Sequence, residues 1–171
     1  MSDIRIPFGL CDVAYNGVTY TQLADEATFE AIPKYTKLQH GQFEKIPMLE
    51  DYEVSLQLYL NEEKYETLLL SNPSLKLLEV NSVNLGLYDD PSSINLQGQP
   101  LTIHPVEAGS SKEYDITIFK AIVDYEQSYK RVFRRGIDTL SIRFIGQPSK
   151  QINGNVFKSY YFIGDVVRAG V

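Results

Sequence analysis

Tyr52-Glu-Val-Ser-Leu-Gln-Leu-Tyr-Leu60 sets Val54, Leu56, Leu58 and Leu60 in strict alternation with Glu53, Ser55, Gln57 and Tyr59. Successive side chains of a strand point to opposite faces, so this period turns one face to a core and leaves the other wet. A helix is expected next, over 62–71. Asn61 is a good N-cap, Glu62 and Glu63 suit the positive end of the helix dipole, and Tyr65, Leu68 and Leu69 form an apolar stripe. Pro73 stops it.

The partner strand is expected at Thr28-Phe-Glu-Ala-Ile-Pro-Lys-Tyr35, with Phe29 and Ala31 on one face and Thr28 and Glu30 on the other. Pro33 donates no ladder hydrogen bond, which argues for an edge or a bulge. Between the two strands, Thr36 to Pro47 reads as a loop far longer than a hairpin turn needs. It and the residue after it carry Leu38, Phe43, Ile46 and Met48, apolar groups that either project or fold back over the sheet.

A chain of 171 residues fits one domain, spanning 1–171, and buries roughly two thirds of its unfolded surface. No apolar run approaches a membrane span, and the N-terminus lacks the order of a signal peptide, so the expectation is a protein made and kept in the cytosol. Cys11 is the single cysteine, which forbids an internal disulfide and reads as a small buried hydrophobe. The net charge of −6 is spread along the chain and disfavours tight nucleic-acid binding, which needs clustered Lys and Arg. Lys130, Arg131, Arg134 and Arg135 are the one basic concentration, able to meet phosphate or an acidic partner surface but more commonly a solvated hairpin tip.

Asn16-Gly17, between Leu10–Tyr15 and Val18–Tyr20, is a strong hairpin signal. Leu75 to Val80 reads as a strand. From Asn81 to Lys112 the chain is rich in Asn, Ser, Gly, Pro and Gln and reads as an irregular inserted segment in which only Leu101–Ile103 and Asn84–Tyr88 look strand-like. Asp89 and Asp90 in this segment read as a turn, since they lack the spaced oxygen ligands of a hard-cation site. Tyr114 to Tyr125 is a long strand apolar on both faces, Ile116, Ile118 and Ile122 on one and Phe119, Ala121 and Val123 on the other. Asp138 to Ile145 returns with Leu140, Ile142 and Phe144 alternating against Thr139, Ser141 and Arg143. Asn153-Gly154 is a further turn, and Val156 to Ile163 a last tyrosine-rich strand.

His40 and His104 sit in expected loops far in sequence from Cys11. No Cys or His pair has metal-ligand spacing, no glycine-rich phosphate loop opens a helix, and no nucleophile elbow is present. The sequence therefore favours a structural or binding protein over an enzyme, with no cofactor or metal expected. The fold class is mainly β with one short α-helix, a β-sandwich or barrel-like arrangement with a long inter-strand loop.

This order of pieces resembles the major tail tube proteins of bacteriophages, and Tyr114-Asp-Ile-Thr-Ile-Phe-Lys-Ala121 and Pro7-Phe-Gly-Leu-Cys-Asp-Val13 look like segments of that family. The resemblance implies six-fold rings stacked into a tube that conducts DNA from capsid to cell, in a virion tail made in the host cytoplasm. It implies as partners the chain itself and tape measure, distal tail and terminator proteins. It also implies a ring-stacking loop that holds Leu38, His40, Phe43, Ile46 and Met48. A strand face with Glu53, Ser55, Gln57, Tyr59, Thr139, Ser141 and Arg143 would line the lumen or meet a neighbouring subunit. Arg143 departs from an acidic lining, so it either pairs with a carboxylate or marks a face that is not the lumen. Two rivals stand beside this reading, the tube of a secretion or contractile injection machine and a monomeric β-sandwich that binds a ligand through tyrosine-rich loops.

Overall fold

The computed structural model describes residues 9–21, 23–38, 46–60, 64–94, 96–126, 140–149 and 159–170. Among them are ten strands: β1 (Cys11–Tyr15), β2 (Val18–Tyr20), β3 (Leu23–Leu38), β4 (Ile46–Leu60), β5 (Leu75–Val80), β6 (Val83–Asp89), β7 (Gln99–Pro105), β8 (Ile116–Val123), β9 (Leu140–Gly146) and β10 (Tyr161–Ile163). Two helices accompany them, α1 (Tyr65–Ser71) and α2 (Val166–Ala169). The main antiparallel sheet runs β2-β1-β7-β8-β9-β4-β3, with β10 beside the first half of β8, and β5 and β6 pair separately. The fold is thus mainly β with antiparallel sheets.

The alternation in β4 and β9 is realised as expected: Val54, Leu56, Leu58, Ile142 and Phe144 are completely buried. They join Val13, Leu101, Ile103, Ile118, Ala121 and Val123 in one cluster drawn from five strands. The sheet must curl to close that cluster. β1 and β9 lie three strands apart, about 14 Å in a flat sheet, yet the rings of Tyr15 and Phe144 are 4.8 Å apart. The Tyr15 hydroxyl also donates to the Ala121 carbonyl at 3.2 Å.

The Asn16-Gly17 turn has both residues at positive φ, 49° and 80°, which joins β1 to β2 tightly. Pro33 lies on β3, an edge strand, next to a register shift, and Phe29 and Ala31 pack on the core.

Several expectations are corrected. At the two ends of the expected Thr36–Pro47 loop the chain is strand, with Thr36 opposite Met48, Lys37 opposite Pro47 and Leu38 opposite Ile46, while 39–45 lie outside the described residues. A ribbon wet on both faces need not alternate, so its sequence carries no period to read. Helix α1 starts at Tyr65, after Lys64 and not Asn61, because the Thr67 hydroxyl accepts from the Lys64 amide at 2.8 Å and caps the first turn. Leu68 and Leu70 face the core, in place of the expected Leu68 and Leu69.

Within 81–112 the two strand-like pieces, Asn84–Tyr88 and Leu101–Ile103, lie in β6 and β7, which run longer than expected. Asn81 and Ser82, at φ 51° and 60°, make a two-residue turn that pairs β5 with β6, and β7 enters the main sheet. The faces of β8 differ too. A register shift against β7 sets Gln99 opposite Ala121 but Leu101 opposite Ile118, so Ala121 and Val123 share the core face with Ile118. α2 has no counterpart among the expected elements. Asn61, the basic cluster at 130–135, Thr139 and Asn153-Gly154 fall outside the described residues, as do His40 and Phe43. Among the described residues no helix is long and apolar enough to cross a membrane.

Candidate functional site

β4 pairs β9 only over Ser55–Leu60, whereas its pairing with β3 continues to Ile46. Beyond Glu53 the two strands therefore extend as a two-stranded ribbon with no third strand among the described residues. Such a ribbon has no buried face of its own. It nevertheless carries Ile32, Tyr35, Met48 and Leu49, with Tyr35 59% and Leu49 56% exposed. Of the expected stacking residues, Met48 projects from the ribbon and is 52% exposed, so it does not fold back onto the sheet. Leu38 and Ile46 are the last pair of the ribbon among the described residues. Sequence reasoning missed Tyr35 and Leu49, which the register shift between Lys34 and Tyr35 sets opposite each other.

At the ribbon's base, Tyr52, Tyr160 and Tyr161 gather. The Tyr52 and Tyr160 rings meet at a tilt of 58° with centroids 5.2 Å apart, Phe29 meets Tyr161 edge-on at 5.1 Å, and the Tyr52 and Tyr161 hydroxyls lie 3.5 Å apart. The hydrogen bond to Tyr161, followed by burial, pushes the Tyr52 pKa up to about 12, so the phenol stays neutral. A cleft of about 500 Å³ opens here, lined by these tyrosines with Leu49, Glu50, Asp51 and Ser159.

The wet face of β4 and β9 is a hydrogen-bonded polar layer. Gln57 donates to the Ser141 hydroxyl, and Arg143 holds Glu53 at 2.7 Å and Asp124 at 3.6 Å. Arg143 is thus paired with carboxylates. Ser55, expected to be wet, is buried, and Tyr59 is half-buried. On the ribbon, Lys34 bridges Glu53 at 3.2 Å and Asp51 at 3.5 Å.

The β5–β6 pair is a second ribbon. It exposes Leu78, Val80, Val83, Leu85 and Tyr88, which the composition of this stretch hides among polar residues.

Burial, then the Asp12 carboxylate, raises the Cys11 pKa, which makes its thiol a poor nucleophile. Asp90 accepts from the Ser92 amide at 3.2 Å and Asp89 from the Ser74 hydroxyl, the roles of a turn. Among the described residues no group of three His, Cys, Asp or Glu has the geometry of a metal site. His104 lies on β7, not in a loop, and meets Asp115.

No protein-family model and no curated protein matches this sequence. The fold is similar to that of a chain in the cryo-electron-microscopy structure of an extracellular contractile injection system, the PVC sheath–tube complex in its extended state. That likeness has a TM-score of 0.54 and 11% identity, over 94% of this chain and 92% of that one. A chain of the same system's sheath/tube terminator superposes with a TM-score of 0.49 and 11% identity, over 85% of this chain and 94% of that one. At 11% identity the likeness is one of fold. Fold and surface together define the class, a curled antiparallel sheet from which two-stranded ribbons extend with exposed apolar side chains.

Proposed function

We propose that this chain is the structural, non-catalytic subunit of a tube, with residues 1–171 forming a single tube domain that closes six-fold rings and stacks them. The observation that carries this reading is the β3–β4 ribbon, which presents Ile32, Tyr35, Met48 and Leu49 to solvent with no third strand among the described residues to cover them. Unpaired edges and exposed apolar side chains are liabilities in a free monomer and contacts in an assembly. A fold like that of a chain in a sheath–tube complex supports the same reading.

In the assembly the ribbon and the segment 36–48, with Leu38, His40, Phe43, Ile46 and Met48, reach the adjacent ring. The polar layer of Glu53, Gln57, Tyr59, Ser141 and Arg143 faces the lumen or a neighbouring subunit. The subunit's partners are further copies of itself and the tape measure, distal tail and terminator proteins that bound such a tube. The tube belongs to a phage tail, where DNA passes a net-negative wall without binding it, or to a contractile injection machine that carries effectors.

Negative-stain electron microscopy of the purified protein over a concentration series tests the proposal. Rings and hollow tubes are expected from the wild type. Met48→Asp is expected to keep the monomer's melting temperature and to abolish stacking. Wild-type particles that stay monomeric at every concentration, with a tyrosine-cleft ligand found instead, would replace the tube with a binding module.

A further inference from the structure

We infer that His104 is a pH-operated latch that holds the segment 106–115, and through it the C-terminal turn, against the sheet. This inference does not depend on the tube reading. His104 Nδ1 lies 2.6 Å from Asp115 Oδ1, and Nε2 lies 2.9 Å from the Gly109 carbonyl oxygen. A carbonyl oxygen and an ionised carboxylate only accept, so the ring satisfies both with a proton on each nitrogen. A neutral ring has one N–H. Whichever tautomer it adopts, a nitrogen lone pair then faces an oxygen, and one of the two contacts is lost. Placing the shared proton on Asp115 changes nothing, because loss of that proton breaks the same contact.

The latch closes on a defined unit. Gly109 caps the 3-10 turn Val106–Ala108 at φ 62°, and the Val106 amide donates to the Leu10 carbonyl at 2.9 Å. The Asp115 carbonyl accepts from the Gly164 amide at 2.8 Å, just before α2, whose Arg168 lies 3.7 Å from Glu113. Asp115 therefore joins the His104 ring to the C-terminal segment. The charged groups that act on the ring are Asp115 and Asp12, its cross-strand neighbour on β1; the latched segment itself carries Glu107, Lys112 and Glu113, the last 3.7 Å from Arg168. The Asp115 side chain is 9% exposed and that of His104 22%, so water screens the contact little.

The hydrogen bond to Asp115, helped by the Gly109 carbonyl and the charges of Asp115 and Asp12, raises the His104 pKa against the opposing effect of burial. A histidine with a raised folded pKa stabilises fully below its unfolded value, about 6.5, and the gain is lost as pH rises through the folded value. The latch is accordingly closed in mild acid and opens as pH rises through the raised folded value.

Proton NMR of the full chain tests this, with His40→Asn used to assign the two imidazole signals. His104 is expected to titrate above the ordinary value of about 6.5 and to fall toward it in Asp115→Asn. Amide exchange of 109–115 and 164–170, corrected for the intrinsic rate, is expected to accelerate by up to about tenfold per pH unit through the same titration. In His104→Gln, whose side-chain N–H₂ does not titrate in this range, the acceleration is expected to vanish. A His104 signal that titrates at or below the ordinary value, or wild-type protection that is flat through the titration, overturns the latch. Neither result bears on ring or tube formation, which is read separately by microscopy.

Discussion

Two glycines separate what backbone conformation demands from what packing demands. Gly17 stands at φ 80° with open space where a Cβ would go, so Gly17→Ala is charged only for the left-handed conformation, about 1 kcal/mol. Gly146 ends β9 in the core, and there an added Cβ would lie 3.1 Å from both Val54 Cβ and Ile118 Cγ2. Both neighbours are fully buried strand residues with little room to retreat. Gly146→Ala is expected to cost about 1–3 kcal/mol through overpacking, read as a lower urea midpoint with an unchanged slope. An unchanged midpoint would mean that β4 and β8 yield at this point. The role of Gly17 is legible in the sequence, because turn chemistry is local to Asn16-Gly17. That of Gly146 is not, since it is set by strands that only the fold brings together.

Elements show the same divide. The alternation in β4 and β9 specifies their faces from sequence alone, because a strand with one buried face must repeat with period two. It fails on β8, where one extra residue moves Ala121 and Val123 to the core face, and on the β3–β4 ribbon, where neither face is buried and no period exists to be read. Pairing across elements is also invisible in the sequence, and Arg143 is the instance that matters. It joins Glu53 of β4 to Asp124 at the end of β8, and the Asp124 side chain is only 10% exposed. Arg143→Met takes this cation from the Asp124 carboxylate, which still accepts from the Glu126 amide at 3.0 Å. The expected cost is about 1–3 kcal/mol in thermal or urea unfolding. Lys34→Met breaks ion pairs of the exposed ribbon, Lys34 side chain 52% exposed, and is expected to leave the midpoint where it was. Equal effects from the two substitutions would mean that the Arg143 pairs are as solvated as those of Lys34.

For the whole molecule, the curled sheet divides labour between a closed core and ribbons that extend from it, so stability and assembly should be separable by mutation. Phe144 is fully buried and packs 4.8 Å from Tyr15 across the curl. Phe144→Ala removes the contact that holds the rolled sheet shut and is expected to cost about 3–5 kcal/mol, taking folding and assembly down together. Leu49 is 56% exposed on the ribbon and belongs to no buried cluster, although it lines the tyrosine cleft. Leu49→Asp should shift the melting temperature little, because a half-exposed side chain gives up little buried area on replacement. Its cost falls on association, where a desolvated carboxylate has no partner supplied for it. Light scattering and thermal melts on the wild type and these two variants, run at matched concentrations, read the two effects apart. A Leu49→Asp chain that melts as the wild type and fails to assemble locates association in the ribbon. One that assembles as the wild type removes this half of the ribbon from the contact and makes the β5–β6 pair, with Leu78, Val80, Val83 and Leu85 exposed, the next surface to substitute.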